Sequence, residues 1–342
     1  RMTPVKSWFT RINLFAVILT FCVLTLGAYV RLSDAGLGCP DWPGCYGQLV
    51  APHPEHEEAL EAFPGAEIDS GKAWKEMIHR YVAGILGILI LVLAIIAVRN
   101  RHDARQQVKL PLFLVLLVTF QALLGMWTVT HLVAPGIVTL HLLTGMLTLG
   151  LLWWQYLNSR ETGPAFSSRL PAMNLKPWAT AGLAVVFAQI ALGGWVSANY
   201  AALHCPDFPT CQQSWWPPMD FAGAFDIFHD YGVNYEGGRL TNDQGVTVHV
   251  MHRIGAVITL LCIGAVGIMA LLKSNLAYRD AGIAMLSILV AQFLLGISNV
   301  IYVLPLPLAV AHNGGAALLL LSVIYLNYKI RQSKVSIITT GD

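Results

Sequence analysis

The amino-acid sequence predicts an all-α integral membrane protein with eight transmembrane helices, arranged as two tandem, pseudo-symmetric four-helix bundles. Three observations predict this fold class: the composition is very apolar, eight apolar stretches are long enough to cross a bilayer, and the second half of the chain repeats the first. Of the 342 residues, 56% are hydrophobic and only 12% are charged. A soluble domain rarely has such a composition.

Each of the eight stretches approaches or exceeds the roughly 20 residues that a hydrocarbon core of about 30 Å requires. None shows the alternation of apolar and polar residues that is typical of a membrane β-barrel. The first stretch has no small-residue cleavage site after it, so we expect a retained span rather than a signal peptide. The predicted spans are residues 12–31, 77–98, 110–130, 136–157, 177–198, 246–272, 280–303 and 307–328.

An internal repeat relates spans 1–4 to spans 5–8. The segment TLGAYVRLSDAGLGCPDWPGC at 25–45 aligns with ALGGWVSANYAALHCPDFPTC at 191–211, and MIHRYVAGI at 77–85 aligns with VMHRIGAVI at 250–258. Because each unit has an even number of helices, both copies would have the same orientation in the membrane. We therefore predict an N-terminal bundle, a cytoplasmic linker and a C-terminal bundle at residues 1–160, 161–176 and 177–342.

Lysine and arginine residues indicate the orientation of the chain. Most of the 21 Lys and Arg residues fall on the side that holds both termini, and the positive-inside rule places that side in the cytoplasm. The long polar loops 32–75 and 199–245 then face outward. We expect a multi-pass membrane protein with both termini in the cytoplasm, and the net charge of +2 gives no indication of nucleic-acid binding.

Each outer loop contains a closely spaced cysteine pair, Cys39 with Cys45 and Cys205 with Cys211. Disulfides persist on the outer side of a membrane, whereas zinc binding is the alternative for such pairs. The Pro- and Gly-containing turn between the cysteines favours a small closed loop. Two further cysteines, Cys22 and Cys262, fall within predicted spans, where we expect inert buried thiols.

Four histidines occupy related positions in the repeat, near the outer ends of spans 2, 4, 6 and 8: His79, His141, His252 and His312. An imidazole in a membrane is costly unless it has a function, and histidines on facing helices can bind haem iron from both sides. We predict two haem sites at similar depth, one between each pair. For any single histidine the alternative is an interfacial side chain.

Neighbouring residues add to each predicted haem site. Arg80 and Arg253 directly follow a candidate ligand and could contact haem propionates, with interfacial anchoring as the alternative. Glu76 lies three residues before His79, on the same helix face, whereas His249 occupies the corresponding position before His252. A carboxylate beside one porphyrin only could accept a proton or stabilise positive charge; the alternative is a favourable interaction with the helix dipole.

A QxxLG pattern recurs at residues 121, 189 and 292. We interpret it as a helix-packing element, because glycine lets helices approach closely and an amide can hydrogen-bond across the interface.

Taken together, GLGCPDWPGCYG, EMIHRY, HLLTG, VMHRIG and AHNGG resemble the haem A synthase family of bacteria and mitochondria, over about residues 10–330. The resemblance implies an enzyme that oxidises the C8 methyl group of haem O to the formyl group of haem A, which cytochrome oxidases need. It further implies successive hydroxylation with oxygen derived from water.

The resemblance also implies roles for individual residues. His79 and His141 would hold the substrate haem, His252 and His312 would hold a permanent haem b cofactor, and Glu76 would be catalytic. A disulfide would close each cysteine pair. Haem O and haem A would be substrate and product, with haem O synthase and an electron-transfer protein as candidate partners and an oligomer as a further expectation.

Two other functions compete with this one. A dihaem b-type membrane electron carrier, such as a quinol oxidoreductase, moves electrons across the bilayer and is expected to hold its haems at different depths. A haem transporter or chaperone would explain transient haem binding but not the carboxylate of Glu76.

Overall fold

The computed structural model describes residues 4–65, 67–103, 106–160, 175–227, 233–273 and 276–338, and within these ranges the chain is helical and forms no strand. Eight helices are long and apolar enough to cross a membrane, which confirms the predicted fold class. They are α1 (Pro4–Leu32), α2 (Ser70–Arg99), α3 (Lys109–Thr130), α4 (Pro135–Ser159), α5 (Leu175–Ala198), α6 (Asn242–Leu271), α7 (Leu276–Ile301) and α8 (Leu306–Ile338). Short helices in the outer loops span Glu57–Ala62, Ala201–Leu203 and Phe221–Ala224.

Helices α2 and α6 begin earlier than predicted, because polar residues cap them above the apolar segment. The carboxylate of Asp69 accepts a hydrogen bond from the backbone N–H of Lys72 at 3.0 Å. Thr241 and Gln244 form a reciprocal capping box at the start of α6. The added turns place His79 and His252 deeper along their helices than the first turn or two that the hydropathy pattern predicts.

The helices contact one another as two rings. Each of α1, α2, α3 and α4 packs against its two neighbours in the first ring, and α5, α6, α7 and α8 do the same in the second. Helices α1 and α4 join the first ring to α5 and α8 of the second. The pseudo-symmetry of the two predicted bundles and their boundaries stay predictions. Residues 161–174 of the predicted linker lie outside the described residues.

Polar contacts and close backbone approach hold the junction between the rings. Tyr328 donates its hydroxyl to the carbonyl of Leu157 at 2.7 Å, and the indole of Trp153 donates to Leu321 at 3.1 Å. A Cβ at Gly150 would lie only 2.9 Å from Ile324 Cδ1. Helices in a membrane associate through this kind of packing and hydrogen bonding.

A further link crosses the outer end of the junction. Arg31, at the end of α1, donates to the carbonyl of Ser197 at 2.5 Å, and its guanidinium lies 3.8 Å from the ring centroid of Tyr200. The two rings are therefore tied together just below the outer loops.

The expectation for the two cysteines outside the loops was wrong. Cys22 and Cys262 are free thiols on the exposed surface of their helices, not in the interior. In a membrane-spanning helix an exposed position faces lipid, and a thiol is apolar enough to be tolerated there.

The cap of α6 can be tested by substitution. Thr241→Ala removes the side-chain acceptor and should lower the free energy of unfolding by about 1 kcal/mol, whereas Thr241→Ser retains it. Thermal unfolding of the purified protein in detergent, followed by circular dichroism, measures the difference. Equal unfolding temperatures for the two variants would contradict the capping role.

Candidate functional site

A cavity of about 1770 Å³ in the outer part of the molecule brings the predicted site residues together. Ligand cavities commonly have volumes of about 300–1,000 Å³, so this one has room for more than one ligand of that size. Its lining comes from both rings and includes Glu76, His79, Arg80, His141, His252, Arg253 and His312. The four histidines therefore share one cavity.

The second histidine pair has a spacing that fits a shared iron. The ring centroids of His252 and His312 lie 6.5 Å apart, and the rings are inclined at 84°. Because an imidazole nitrogen lies about 2 Å from a transition metal that it binds, two imidazoles on opposite sides of one metal have centroids about 6 Å apart. The residues present thus fit the two axial ligands of a haem.

The first pair, His79 on α2 and His141 on α4, lines the same cavity, and the two side chains lie within electrostatic range of each other. Among the described residues, the buried Nδ1 atoms of His79, His141 and His312 have no hydrogen-bond partner. Buried polar atoms are usually paired. One nitrogen of each of these rings is therefore left without a protein partner beside the cavity.

A glycine on the preceding helix faces each of the four imidazoles. Placing a Cβ on these glycines would bring it within 3.0–3.4 Å of the ring carbon Cε1, which is closer than ordinary contact. A larger side chain would push the ring out of place. The contacts are Gly27 to His79, Gly125 to His141, Gly193 to His252, and Gly296 to His312.

The glutamines of the QxxLG pattern contact the same histidines. Gln121 donates to the carbonyl of His141 at 2.8 Å, and Gln292 donates to that of His312 at 2.9 Å. Gln189 donates to the carbonyl of His252 at 3.0 Å and also lies 3.0 Å from its Nδ1. The predicted packing role is confirmed, and the pattern belongs to the site as well, which sequence reasoning missed.

Glu76 is buried, with 5% of its surface exposed, and both carboxylate oxygens have partners. Oε1 accepts from Arg80 Nη2 at 2.5 Å, and Oε2 accepts from the backbone N–H of Cys39 at 2.9 Å. A cation and a backbone donor together stabilise the ionised carboxylate. His249, the residue at the corresponding position of α6, is equally buried but carries no carboxylate.

Both predicted disulfides form, which confirms that interpretation over zinc binding. Cys39 is bonded to Cys45, and Cys205 is bonded to Cys211. Each pair closes a turn against the outer end of a histidine-bearing helix.

An aspartate organises each disulfide turn. Asp41 accepts from the backbone N–H groups of Tyr46 at 2.6 Å and Gly47 at 2.9 Å. Asp207 accepts in the same way from Gln212 and Gln213. The hydroxyl of Thr210, together with these N–H groups, lowers the pKa of Asp207 below its usual value because the ionised form is the better acceptor. The aspartate of the repeated CPD sequence thus binds the backbone of the two residues that follow the second cysteine.

The two arginines hold the disulfide turns in place. Arg80 donates to the carbonyls of Asp41 at 3.0 Å and Gly44 at 2.5 Å. Arg253 donates to Cys205 at 3.0 Å and to Thr210 at 2.7 Å. Both side chains also line the cavity, so the contact with haem propionates stays a prediction. The contacts with the loop carbonyls were not foreseen, because any residue supplies such an acceptor.

Eight membrane-length helices with paired histidines around one large cavity are typical of a polytopic membrane protein that binds haem between facing helices. Comparison with known sequences defines the group more closely. The chain belongs to the family of cytochrome oxidase assembly proteins (COX15-CtaA), whose family model matches residues 10–324.

Individual relatives agree with the family assignment. The chain is 44% identical over 324 residues to the haem A synthase of Shewanella oneidensis, covering 94% of this chain and 96% of that protein. It is 29% identical to the haem A synthase of Halalkalibacterium halodurans over 60% of this chain and 65% of the other. The haem A synthase of a Caulobacter species is 26% identical over 97% of both chains.

The close packing of the first disulfide loop against α2 depends on Gly38. A Cβ at this position would lie 2.6 Å from the carbonyl carbon of Lys72 and 2.8 Å from the backbone nitrogen of Ala73. Gly38→Ala should therefore push the loop away from α2, lower the free energy of unfolding by about 1–3 kcal/mol, and expose the buried disulfide to reductant. Mass spectrometry of alkylated thiols after mild reduction should detect faster opening.

Gly36→Ala is the matched control, since the added Cβ would meet only Val133 at an ordinary distance of 3.6 Å. Equal reduction rates for the two variants would show that the close contact at Gly38 does not hold the loop.

Proposed function

We propose that this protein is a haem A synthase that oxidises the C8 methyl group of haem O to the formyl group of haem A by successive hydroxylation. The near-full-length similarity to the haem A synthase of Shewanella oneidensis supports the activity. The observation that carries the chemistry is the asymmetry between the two histidine pairs: the first has the buried carboxylate of Glu76 beside it, and the second has His249.

The reaction sets the requirements for the site. Each hydroxylation removes an electron pair and a proton from the methyl carbon. The oxygen comes from water, which keeps one proton on the new hydroxyl group and releases the other. The second hydroxylation gives a geminal diol, which loses water to form the aldehyde. The site must therefore accept protons, stabilise positive charge next to the porphyrin, and pass electrons on.

In our proposal His79 and His141 hold the iron of the substrate haem. Glu76, one helical turn from His79, accepts a proton from the attacking water and stabilises the positive charge that develops on the methyl carbon. Arg80 and the backbone N–H of Cys39 each bind one carboxylate oxygen and hold the group in its orientation. The first disulfide loop is thus a positioning element for the catalytic group.

We assign His252 and His312 to the haem b cofactor. Their centroid separation of 6.5 Å supports binding from both faces. When bound, haem b would supply one-electron redox chemistry next to the substrate. The amide of Gln189 and the glycines that face both rings keep these ligands in position.

We further propose that the protein lies in the bacterial inner membrane, with both termini in the cytoplasm and the disulfide loops facing the periplasm. Unequal distribution of Lys and Arg and the two disulfides support this orientation. Haem O synthase and an electron-transfer protein remain candidate partners. A dihaem electron carrier is less well supported, because all four histidines line one cavity and only one pair has a carboxylate.

Glu76→Gln tests the catalytic assignment. The substitution keeps the shape of the side chain but removes the proton acceptor, so haem A formation should fall by about 10²–10⁴-fold while haem b is retained. Chromatography of haem extracted from cells that supply haem O measures both. Glu67→Gln, in the outer loop that precedes α2, should leave haem A unchanged. Normal haem A levels in Glu76→Gln would rule out this role.

Substitution of the second pair tests the cofactor site. His252→Ala and His312→Ala should each lose the stably bound haem b and its six-coordinate, low-spin spectrum, because one axial ligand is missing. His79→Ala should retain that spectrum, and His53→Ala serves as a control in the outer loop. Retention of the full spectrum in either of the first two variants would contradict the assignment.

A further inference from the structure

Three of the four paired histidines are held by the same arrangement, which we call the glutamine clamp. A glutamine on the preceding helix donates its amide N–H to the backbone carbonyl of the histidine. The three clamps join Gln121 to His141, Gln189 to His252, and Gln292 to His312, with N···O distances of 2.8, 3.0 and 2.9 Å.

Two of the clamps lie against a glycine three residues after the histidine. A Cβ at Gly255 would lie 2.1 Å from Gln189 Oε1, and a Cβ at Gly315 would lie 2.1 Å from Gln292 Oε1. At the corresponding position after His141, the hydroxyl of Thr144 instead donates to Gln121 Oε1. In the second half the glutamine and this glycine therefore work as a pair, because an apolar side chain on the glycine would fill the space of the amide.

Within the part of the chain that the structure describes, His79 has no such clamp. In the repeat, Val23 stands where Gln189 stands, and Val82 stands where Gly255 stands. Valine has no hydrogen-bond donor, and a second valine fills the space that the amide would need. The glycine that faces the imidazole is kept, since a Cβ added at Gly27 would lie 3.0 Å from His79 Cε1.

Contacts with the outer loops anchor both histidine-bearing helices as well. Arg80 and Arg253 both donate to carbonyls of a disulfide turn, and α2 has a further contact because Glu76 accepts from the backbone N–H of Cys39. These contacts bind a helix to its loop, whereas the clamp binds it to the preceding helix. The presence or absence of the clamp thus distinguishes the helix contacts of His79 from those of His252.

We propose that the missing clamp makes His79 the ligand that dissociates from the iron most readily. The porphyrin of the first pair can then exchange, while that of the second pair is retained. Val23 and Val82 are then positioning residues that set the rate of haem exchange. The inference rests on the proposed function in one respect only: it takes the first pair as the substrate site. An enzyme that must release a product as large as haem A needs one exchangeable site beside a permanent one.

The experiment uses the full chain in lipid nanodiscs, loaded with haem b as the probe at both sites. Transfer of haem to excess apomyoglobin, followed by absorbance, should show a fast and a slow phase. His79→Ala and His252→Ala assign the phases to the two sites. The double variant Val23→Gln/Val82→Gly installs a clamp and should slow the fast phase by about fivefold, the factor that one net hydrogen bond supplies.

The reciprocal variant Gln189→Val/Gly255→Val is the matched control. It removes a clamp and should accelerate the slow phase by a similar factor, with the fast phase unchanged. If a double variant fails to accumulate, Gln292→Met is a substitute. It removes the hydrogen-bond donor and leaves Gly315 unchanged, and it should also accelerate the slow phase. The inference is overturned if the native protein releases both haems at one rate, or if folded, fully loaded variants leave the phases unchanged.

Failure of this inference is distinguishable from failure of the proposed function. Haem A formation by the native protein with equal release rates would refute the clamp and leave the synthase activity intact. Two release phases that respond to the swaps, without haem A formation from supplied haem O, would support the clamp and refute the synthase.

Discussion

Each of the four paired imidazoles in the cavity depends on the close approach of the preceding helix. The approach is possible because a glycine faces each ring, at would-be Cβ distances of 3.0–3.4 Å. In a membrane, hydrophobic burial does not drive helices together, so small residues and amide hydrogen bonds largely determine which helices pack closely. Here the same contacts that pack the helices also aim the histidines into the cavity. Packing and ligand placement are therefore one constraint, and a change in either alters the other.

The outer loops constrain the position of the buried carboxylate in a similar way. Asp41 and Asp207 each shape a disulfide turn, and an arginine from the histidine-bearing helix is bonded to the carbonyls of that turn. In the first half the same arginine also pairs with Glu76, whose second oxygen is bonded to Cys39 N–H. The position of the carboxylate thus depends on a loop that is itself fixed by a disulfide, and a solvent-facing turn supports a buried charge.

Much of the fold could be predicted from the sequence, because spans, disulfides and repeat each leave a local pattern. All eight spans were found, and the four histidines do share a cavity. The starts of α2 and α6 were missed because Asp69 and Thr241 are polar, and hydropathy does not register caps. The loop contacts of Arg80 and Arg253 were missed because backbone carbonyls have no sequence signature. The burial of Cys22 and Cys262 was predicted wrongly, since an apolar helix does not reveal which face meets lipid.

Three of the differences between the halves lie around one histidine. Glu76 stands where His249 stands, Val23 where Gln189 stands, and Val82 where Gly255 stands, and all of these positions lie on the two helices around His79 or its counterpart. The His141 side differs as well, since Thr144 occupies the position of Gly315, but His141 keeps its glutamine. In the function proposed above, the acid and the missing glutamine would therefore act on the same side of the first site, at His79, whereas the contact of α3 with the backbone of His141 is retained.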